Sequence, residues 1–202
     1  YLKDFTAEVT AVDENTVTLD QTLFYPLGGG QNWDTGKLTW DGGQVSVTEV
    51  RGRGEVQHFV GEDHGLEIGD SVEGEIDWDR RHAHMRMHTA QHLVSGLVYE
   101  MYDGARTVGN QIHADRSRID FNPVKFDEAM IDELFSKANE MVESNLEVTD
   151  CVMTREEINS HKLLPKNSKV FRLLPLYPAG FNENALFPVE FNGKTINPPK
   201  GK

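Results

Sequence analysis

Cysteine is nearly missing from this chain. Cys151 stands alone among 202 residues, so no disulfide can form within it. That fits a reducing compartment, and a cytoplasmic location is expected. No apolar run reaches membrane-spanning length and no signal-peptide pattern opens the chain, so no membrane partner is expected. The first residue is Tyr1 rather than Met, and a trimmed N-terminus is expected on that ground. Positive charge is also scarce: 20 Lys and Arg face 33 Asp and Glu, a net charge of −13. Such a balance argues against a protein that binds nucleic acid over its whole surface. The acids are scattered rather than blocked, as on a well-solvated surface. The excess is uneven, however. Residues 162–202 hold seven Lys and Arg against two Glu, and residues 1–161 carry net −18. An acidic protein with a local basic face can still hold RNA.

What is present divides the chain into two parts. Residues 1–77 read as β: Phe5–Val12, Thr16–Leu19, Lys37–Trp40, Val45–Val50, Val56–Val60 and Ser71–Ile76 are short apolar or β-branched runs. Asp13-Glu14-Asn15 and Asp41-Gly42-Gly43 punctuate them. Strands at this spacing predict a small antiparallel β-barrel, with no parallel βαβ unit. Residues 78–202 read as α+β. One long helix is predicted from about Asp79 to Tyr102, capped by Asp79 and ended by Asp103-Gly104. Gly96 inside it costs about 1 kcal/mol against Ala, which close approach of another backbone would offset. A hairpin is predicted over Arg106–Phe121, turning at Asp115-Arg116. A second helix follows over Phe126–Leu146, burying Phe126, Met130, Leu134, Met141 and Val142. Val148–Met153 reads as a strand, and Thr154-Arg155-Glu156-Glu157 as a capping box. From about residue 162 the chain becomes a basic, proline-rich tail, with six of the eight prolines beyond residue 164. Leu186–Phe191 is its one strand candidate.

Three segments carry candidate chemistry. The first is His88-Thr89-Ala90-Gln91-His92. Residues i and i+4 share a helix face, so His88 and His92 can turn both imidazoles toward one ion, and neutral imidazole suits zinc. A zinc peptidase places Glu directly after the first His as general base. Thr89 stands there and cannot take a proton at neutral pH. The ordinary alternative is a set of helix histidines bonded to their neighbours. His84 extends the series by one turn. The second segment is Phe24-Tyr25-Pro26-Leu27-Gly28-Gly29-Gly30-Gln31. Consecutive glycines let backbone approach a ligand closely and can present N–H groups to an anion. The segment lacks the Lys-Ser/Thr of a phosphate loop, and its ordinary reading is a sharp turn. The third runs from Gly109 to Phe121 and includes Asn110 and His113; its ordinary reading is a hairpin with a charged turn.

Together these segments resemble a family. Phe24–Gln31 followed by Asp34-Thr35-Gly36, then Arg86–Leu93, then Gly109–Phe121 are similar in order and spacing to the alanyl-tRNA editing proteins, freestanding relatives of the editing domain of alanyl-tRNA synthetase. The resemblance covers roughly residues 5–175. It implies a barrel-like N-terminal domain joined to an α+β editing domain whose long helix carries the metal site. It implies a zinc-dependent, ATP-independent aminoacyl-tRNA hydrolase that serves translation fidelity by removing serine, and often glycine, from tRNA(Ala). By the same resemblance His88 and His92 are two zinc ligands. Gly28, Gly29, Gly30, Gln31 and Asn110 then line the aminoacyl group. Thr89 and Gln91 are candidate catalytic residues, able to read the serine hydroxyl. Arg80, Arg81, Arg86 and the basic tail are the available cations for the tRNA end.

This chain departs from the family in one respect. The family supplies two more ligands from a Cys-x-x-x-His motif near its C-terminus, and nothing here matches it. Alignment sets Pro199 on the cysteine, and the chain stops one residue before the histidine. Truncation, a shifted reading frame and decay of the site each account for this. His84, His113 and His161 are candidate replacements. Three readings therefore stand: an editing hydrolase acting in trans, a tRNA-binding module that has lost its metal, and a metal hydrolase of small esters or amides.

Overall fold

The computed structural model describes residues 1–52 and 55–145, together with the backbone of two short strands at 189–191 and 194–196. The expected strand Val148–Met153, the capping box at Thr154, Cys151 and His161 all lie outside the described residues.

The N-terminal part forms β1 (Asp4–Val12), β2 (Thr16–Leu19), β3 (Gly36–Trp40), β4 (Gly43–Val47), β5 (Glu49–Arg51), β6 (Gln57–Phe59) and β7 (Ser71–Ile76). They make one antiparallel sheet in the order β4-β3-β7-β1-β2-β6-β5. β7 shows the expected alternation: Val72 and Ile76 face the core while Ser71, Glu73 and Glu75 face out. β1 joins the two halves, pairing with β7 through Asp4–Glu8 and with β2 from Val9 onward.

The sheet is not the closed barrel predicted from strand spacing. Its edge strands, β4 and β5, are consecutive and meet at Thr48. The Thr48 N–H and Oγ1–H both donate to Phe59 O, at 2.9 and 3.2 Å. The chain is thereby bent away from β3 and toward β6. One run of chain cannot form a ladder with itself across a single residue, so the sheet stays open there. The same bend explains why the expected strand Val45–Val50 is two strands. Val9, Val17, Leu38, Val47, Val50 and Val72 are fully buried in the core beneath. Burial of each such side chain contributes about 1.5–3 kcal/mol.

Helix α1 spans Trp78–Met101. Asp77 caps it rather than Asp79, because Asp77 is the extended residue whose Oδ1 accepts from Arg80 N at 3.1 Å. Asp79 then lies in the first turn, where its charge complements the helix dipole. Asp103 and Gly104 end the helix as expected, both at positive φ, with Gly104 N–H donating to Tyr99 O at 3.0 Å. Among the described residues none makes the close backbone contact expected at Gly96: Gly96 is exposed, and none of them lies within 4 Å of the position its Cβ would take.

β8 (Arg106–Ile112) and β9 (Ser117–Asn122) form the predicted hairpin, and α2 (Glu128–Glu143) follows, capped by Asp127. Leu97, Val98, Ala105, Leu134, Phe135, Ala138 and Val142 form a second core where α1 meets α2. Phe126 and Met141 pack against it as expected, while Phe135 and Ala138 carry more of the burial than the sequence periodicity assigned them. β10 (Val189–Phe191) and β11 (Lys194–Ile196) pair with each other, and β10 falls within the expected strand Leu186–Phe191. Among the described residues no helix is long and apolar enough to cross a membrane.

Candidate functional site

Two stretches of α1 bury different chemistry. The C-terminal end turns Leu97 and Val98 into the second core, whereas the stretch from Arg81 to Gln91 buries Arg81, His84, Arg86, His88 and Gln91. Burying polar groups is tolerated where partners meet them. Here the irregular segment between β2 and β3, which lies along the helix, meets Arg81 and His88, and Asn110 of β8 meets Gln91.

Asp34 anchors that segment. It is fully buried, and its Oδ2 accepts from Tyr25 N at 2.7 Å and Arg81 Nε at 2.8 Å, with Arg81 Nη2 also on the same oxygen. Arg81 Nη2 donates as well to Leu23 O, at 2.5 Å. Removing one member of such a pair strands a buried charge, at a cost of about 3–5 kcal/mol. Three residues earlier, Gln31 Oε1 accepts from His88 Nδ1 at 2.8 Å, and Gln31 is fully buried. Segment 31–34 thus runs antiparallel to α1, with Asp34 on Arg81 and Gln31 on His88.

The glycines form the tip of the segment. Gly28 and Gln31 exchange backbone bonds, with Gln31 N–H to Gly28 O at 2.9 Å and Gly28 N–H to Gln31 O at 3.2 Å. The two residues between them, Gly29 and Gly30, have φ of 61° and 83°. A tight two-residue turn with both central residues at positive φ is the type I′ geometry that glycine makes accessible. Tyr25 OH donates to Gly28 O at 3.1 Å. The turn is fastened to β8 by Ile112 N–H to Gly30 O at 2.7 Å and Asn32 N–H to Ile112 O at 3.3 Å. Asn110 Nδ2 then ties three elements together, donating to Gly29 O at 3.2 Å and to Gln91 Oε1 of α1 at 2.9 Å. A Cβ on Gly30 would stand 2.3 Å from Asn110 Oδ1.

The structure therefore brings Gly28, Gly29, Gly30, Gln31, Asn110, Gln91 and His88 together. His88 and His92 stack with ring centroids 5.1 Å apart and planes 11° from parallel. His88 is buried, and burial, reinforced by His92 and His84, pushes its pKa down to about 4. His92 is exposed, and partial burial lowers its pKa too. Both rings are thus favoured in the neutral form a metal requires. Thr89 Oγ1 donates to Met85 O at 3.1 Å, so the hydroxyl proton is engaged within the helix.

Other sequence candidates fall elsewhere. His113 accepts at Nδ1 from Asn32 Nδ2 at 3.0 Å, which places its proton on Nε2 and leaves neither nitrogen with a free lone pair. His84 is fully buried, and burial, then the charge of Arg80, lower its pKa. Among the described residues no three His, Cys, Asp or Glu groups converge on a metal position. Two of the expected tRNA cations are not surface groups. Arg81 is spent on Asp34, and Arg86 is 9% exposed with its pKa pushed down to about 10 by burial. Asp34, Asn32 and Tyr25 also position the site, and sequence reasoning missed those roles. The available signals were the place of Asp34 in Asp34-Thr35-Gly36 and of Tyr25 in Phe24–Gln31; the partners of Asp34 and Asn32 lie 47 and 81 residues away.

Residues 2–80 match the sequence model of the family described as tRNA synthetases class II (A). Over 164 residues the chain is 43% identical to the alanyl-tRNA editing protein AlaX-M of Methanosarcina barkeri, covering 78% of this chain and 67% of that protein. It is 39% identical over 207 residues to the AlaX-M of Methanosarcina acetivorans, covering 97% and 80%. It is also 41% identical over 152 residues to the alanine–tRNA ligase of Thermococcus kodakarensis, covering 74% of this chain and 17% of the ligase. The chain thus spans about two thirds of the length of several editing proteins that it matches.

Proposed function

This chain belongs to the family of alanyl-tRNA editing proteins, and we propose that it hydrolyses the ester of serine, and of glycine, mischarged onto tRNA(Ala), at a zinc site on the α1 face bearing His88 and His92. The observation that carries the reading is the bond from His88 Nδ1–H to Gln31 Oε1. It fixes the tautomer that keeps the lone pair on Nε2, the arrangement in which a second partner orients a metal-ligating imidazole. His92 lies one turn on with its pKa lowered by burial, so the pair offers two neutral imidazoles, the chemistry that would hold zinc. A zinc ion held there supplies Lewis acidity beside the glycine turn.

The chain's own residues do the rest. The N–H groups of Gly29 and Gly30 stand outside the turn's own bonds and offer donors where the ester oxygen develops charge. Asn110 sets the gap between that turn and α1 by holding Gly29 O and Gln91 Oε1 at once. Gln91 gives its carbonyl to Asn110 and keeps its amide donors for the aminoacyl group. Thr89 gives its proton to Met85 O and presents oxygen lone pairs, which suit a substrate hydroxyl or ammonium group. A site built to bond a hydroxyl discriminates against a substrate lacking one, because the site's own polar groups are then left unpaired.

Deacylation of Ser-tRNA(Ala), with Ala-tRNA(Ala) as control and zinc measured in the same preparation, tests this. Serine is expected to be released selectively by zinc-loaded protein, and the His88→Ala/His92→Ala double variant is expected to lose metal and turnover together. Full metal content in that variant would reject the ligand assignment. One second reading is a metal-free tRNA-binding module, favoured because among the described residues no three His, Cys, Asp or Glu groups converge on a metal position. Tight tRNA binding without turnover or zinc would establish it instead.

A further inference from the structure

Outside the histidine site, a cluster of aromatic and cationic groups lies at the start of α1. Trp78 and His82, one turn apart, stack with centroids 5.6 Å apart and planes 10° from parallel. Lys3 Nζ of the β1 edge sits 5.0 Å from the centre of the Trp78 ring. Both rings are half-exposed and Lys3 is exposed. Burial lowers the His82 pKa, and the charges of Arg86 and Lys3 lower it further, so at neutral pH its imidazole is a flat, uncharged ring in a positive field. Arg86 and Lys3 are the cations and Asp79 the acid acting on that ring.

Helix geometry relates the cluster to the histidine site. His82 precedes Thr89 by two turns on nearly the same stripe. It lies about 9 Å along the axis from His88 and about 15 Å from His92, at 1.5 Å rise per residue. A strand whose terminal ribose carried an ester beside His92 would pass this cluster within a few nucleotides. Flat rings beside cations suit single-stranded nucleic acid, because every base has a face to stack and every linkage a negative phosphate. Such a strand lies in the open, where its bases are unpaired.

We propose that Trp78, His82 and Lys3 form a stacking platform for the unpaired 3′ end of the tRNA, holding a base upstream of the aminoacylated ribose. The proposal rests on the editing reading, because it takes that 3′ end as the ligand. Tyr1 and Lys3 already meet the Trp78 ring, so a base extends the column beyond His82, while Lys3 turns to a phosphate.

The test uses the full chain and two uncharged RNA hairpins of the tRNA(Ala) acceptor stem, one with its single-stranded 3′ end and one blunt. Wild type is expected to bind the first more tightly. His82→Ala is expected to weaken that binding about tenfold, the loss of roughly one stacked base, and to leave blunt-hairpin binding as it was. His82→Phe, which keeps a ring, is expected to restore the preference. Lys3→Ala is expected to lower the salt dependence by about one phosphate contact. Equal losses on both hairpins, an unchanged preference in His82→Ala, or a His82→Phe variant as weak as His82→Ala would each overturn the platform. The outcome is separable from the hydrolysis test: a 3′-end preference without ester hydrolysis would sink the editing reading and leave the platform standing.

Discussion

Replacing Gly30 with Ala attacks the glycine turn at its tightest point. Two costs are separable. Gly30 has φ of 83°, a left-handed conformation that costs a residue with a Cβ about 1–2 kcal/mol. The new Cβ would also lie 2.3, 2.6 and 2.8 Å from Asn110 Oδ1, Cγ and Nδ2. Those distances are too short to survive, so the Asn110 side chain must leave. With it go the bonds to Gly29 O at 3.2 Å and Gln91 Oε1 at 2.9 Å, each contributing about 0.5–1.5 kcal/mol net. The expected destabilisation is about 2–5 kcal/mol. Urea denaturation of four proteins checks it: wild type, Gly30→Ala, Asn110→Ala and the double variant. Once Asn110 is Ala the steric part is gone, so Gly30→Ala should then cost only about 1–2 kcal/mol. The cycle should therefore show a coupling of about 1–3 kcal/mol. Additive costs, or a Gly30→Ala protein as stable as wild type, would refute the clamp.

Two further outcomes follow from residues away from the turn. His58 is fully buried, with Nδ1 on Val17 O at 3.2 Å and Nε2 facing Thr22 Oγ1 at 2.9 Å, and burial pushes its pKa from 6.5 down to about 4. The folded state therefore favours the neutral ring. Its contribution should be fully present above pH 6.5 and should decline as pH falls toward 4, by up to about 3 kcal/mol at the lower limit. Denaturation midpoints across pH 4–7 should show that slope, and His58→Gln should flatten it; an unchanged slope would contradict the assignment. Gly96 is exposed mid-helix with open space at its Cβ position, so Gly96→Ala should raise stability by about 0.5–1 kcal/mol by thermal melt. A loss would mean that the site is not open.

The legible parts of the fold were those set by local chemistry. Alternation in Ser71–Ile76, the turn residues at Asp41-Gly42-Gly43 and the stop at Asp103-Gly104 each act within a few residues, and the corresponding elements formed where expected. The cap moved by two residues to Asp77 because capping depends on which carboxylate has the extended backbone, and both aspartates offered the chemistry. Strand spacing could not decide whether the sheet closed, since closure turned on one residue, Thr48, and its bonds to Phe59 eleven residues on. Helical periodicity likewise could not separate a surface arginine from a buried one. Arg81 and Arg86 are both covered in the folded chain, Arg81 by the segment that carries Leu23 and Asp34, and such contacts are invisible in a one-dimensional pattern.

By itself the sequence determined which groups could do chemistry: two imidazoles one turn apart, and a turn that only glycines enter easily. Helical pitch and backbone sterics fix both, and both are local. Tertiary structure decided how those groups are held. It set Gln31 on His88, Asn110 between the turn and α1, and Asp34 under Arg81. Those partners are separated by 57, 81, 19 and 47 residues. The tautomer of His88 and the width of the gap above it depend on desolvated hydrogen bonds, which come into being only when the packed chain excludes water from both partners.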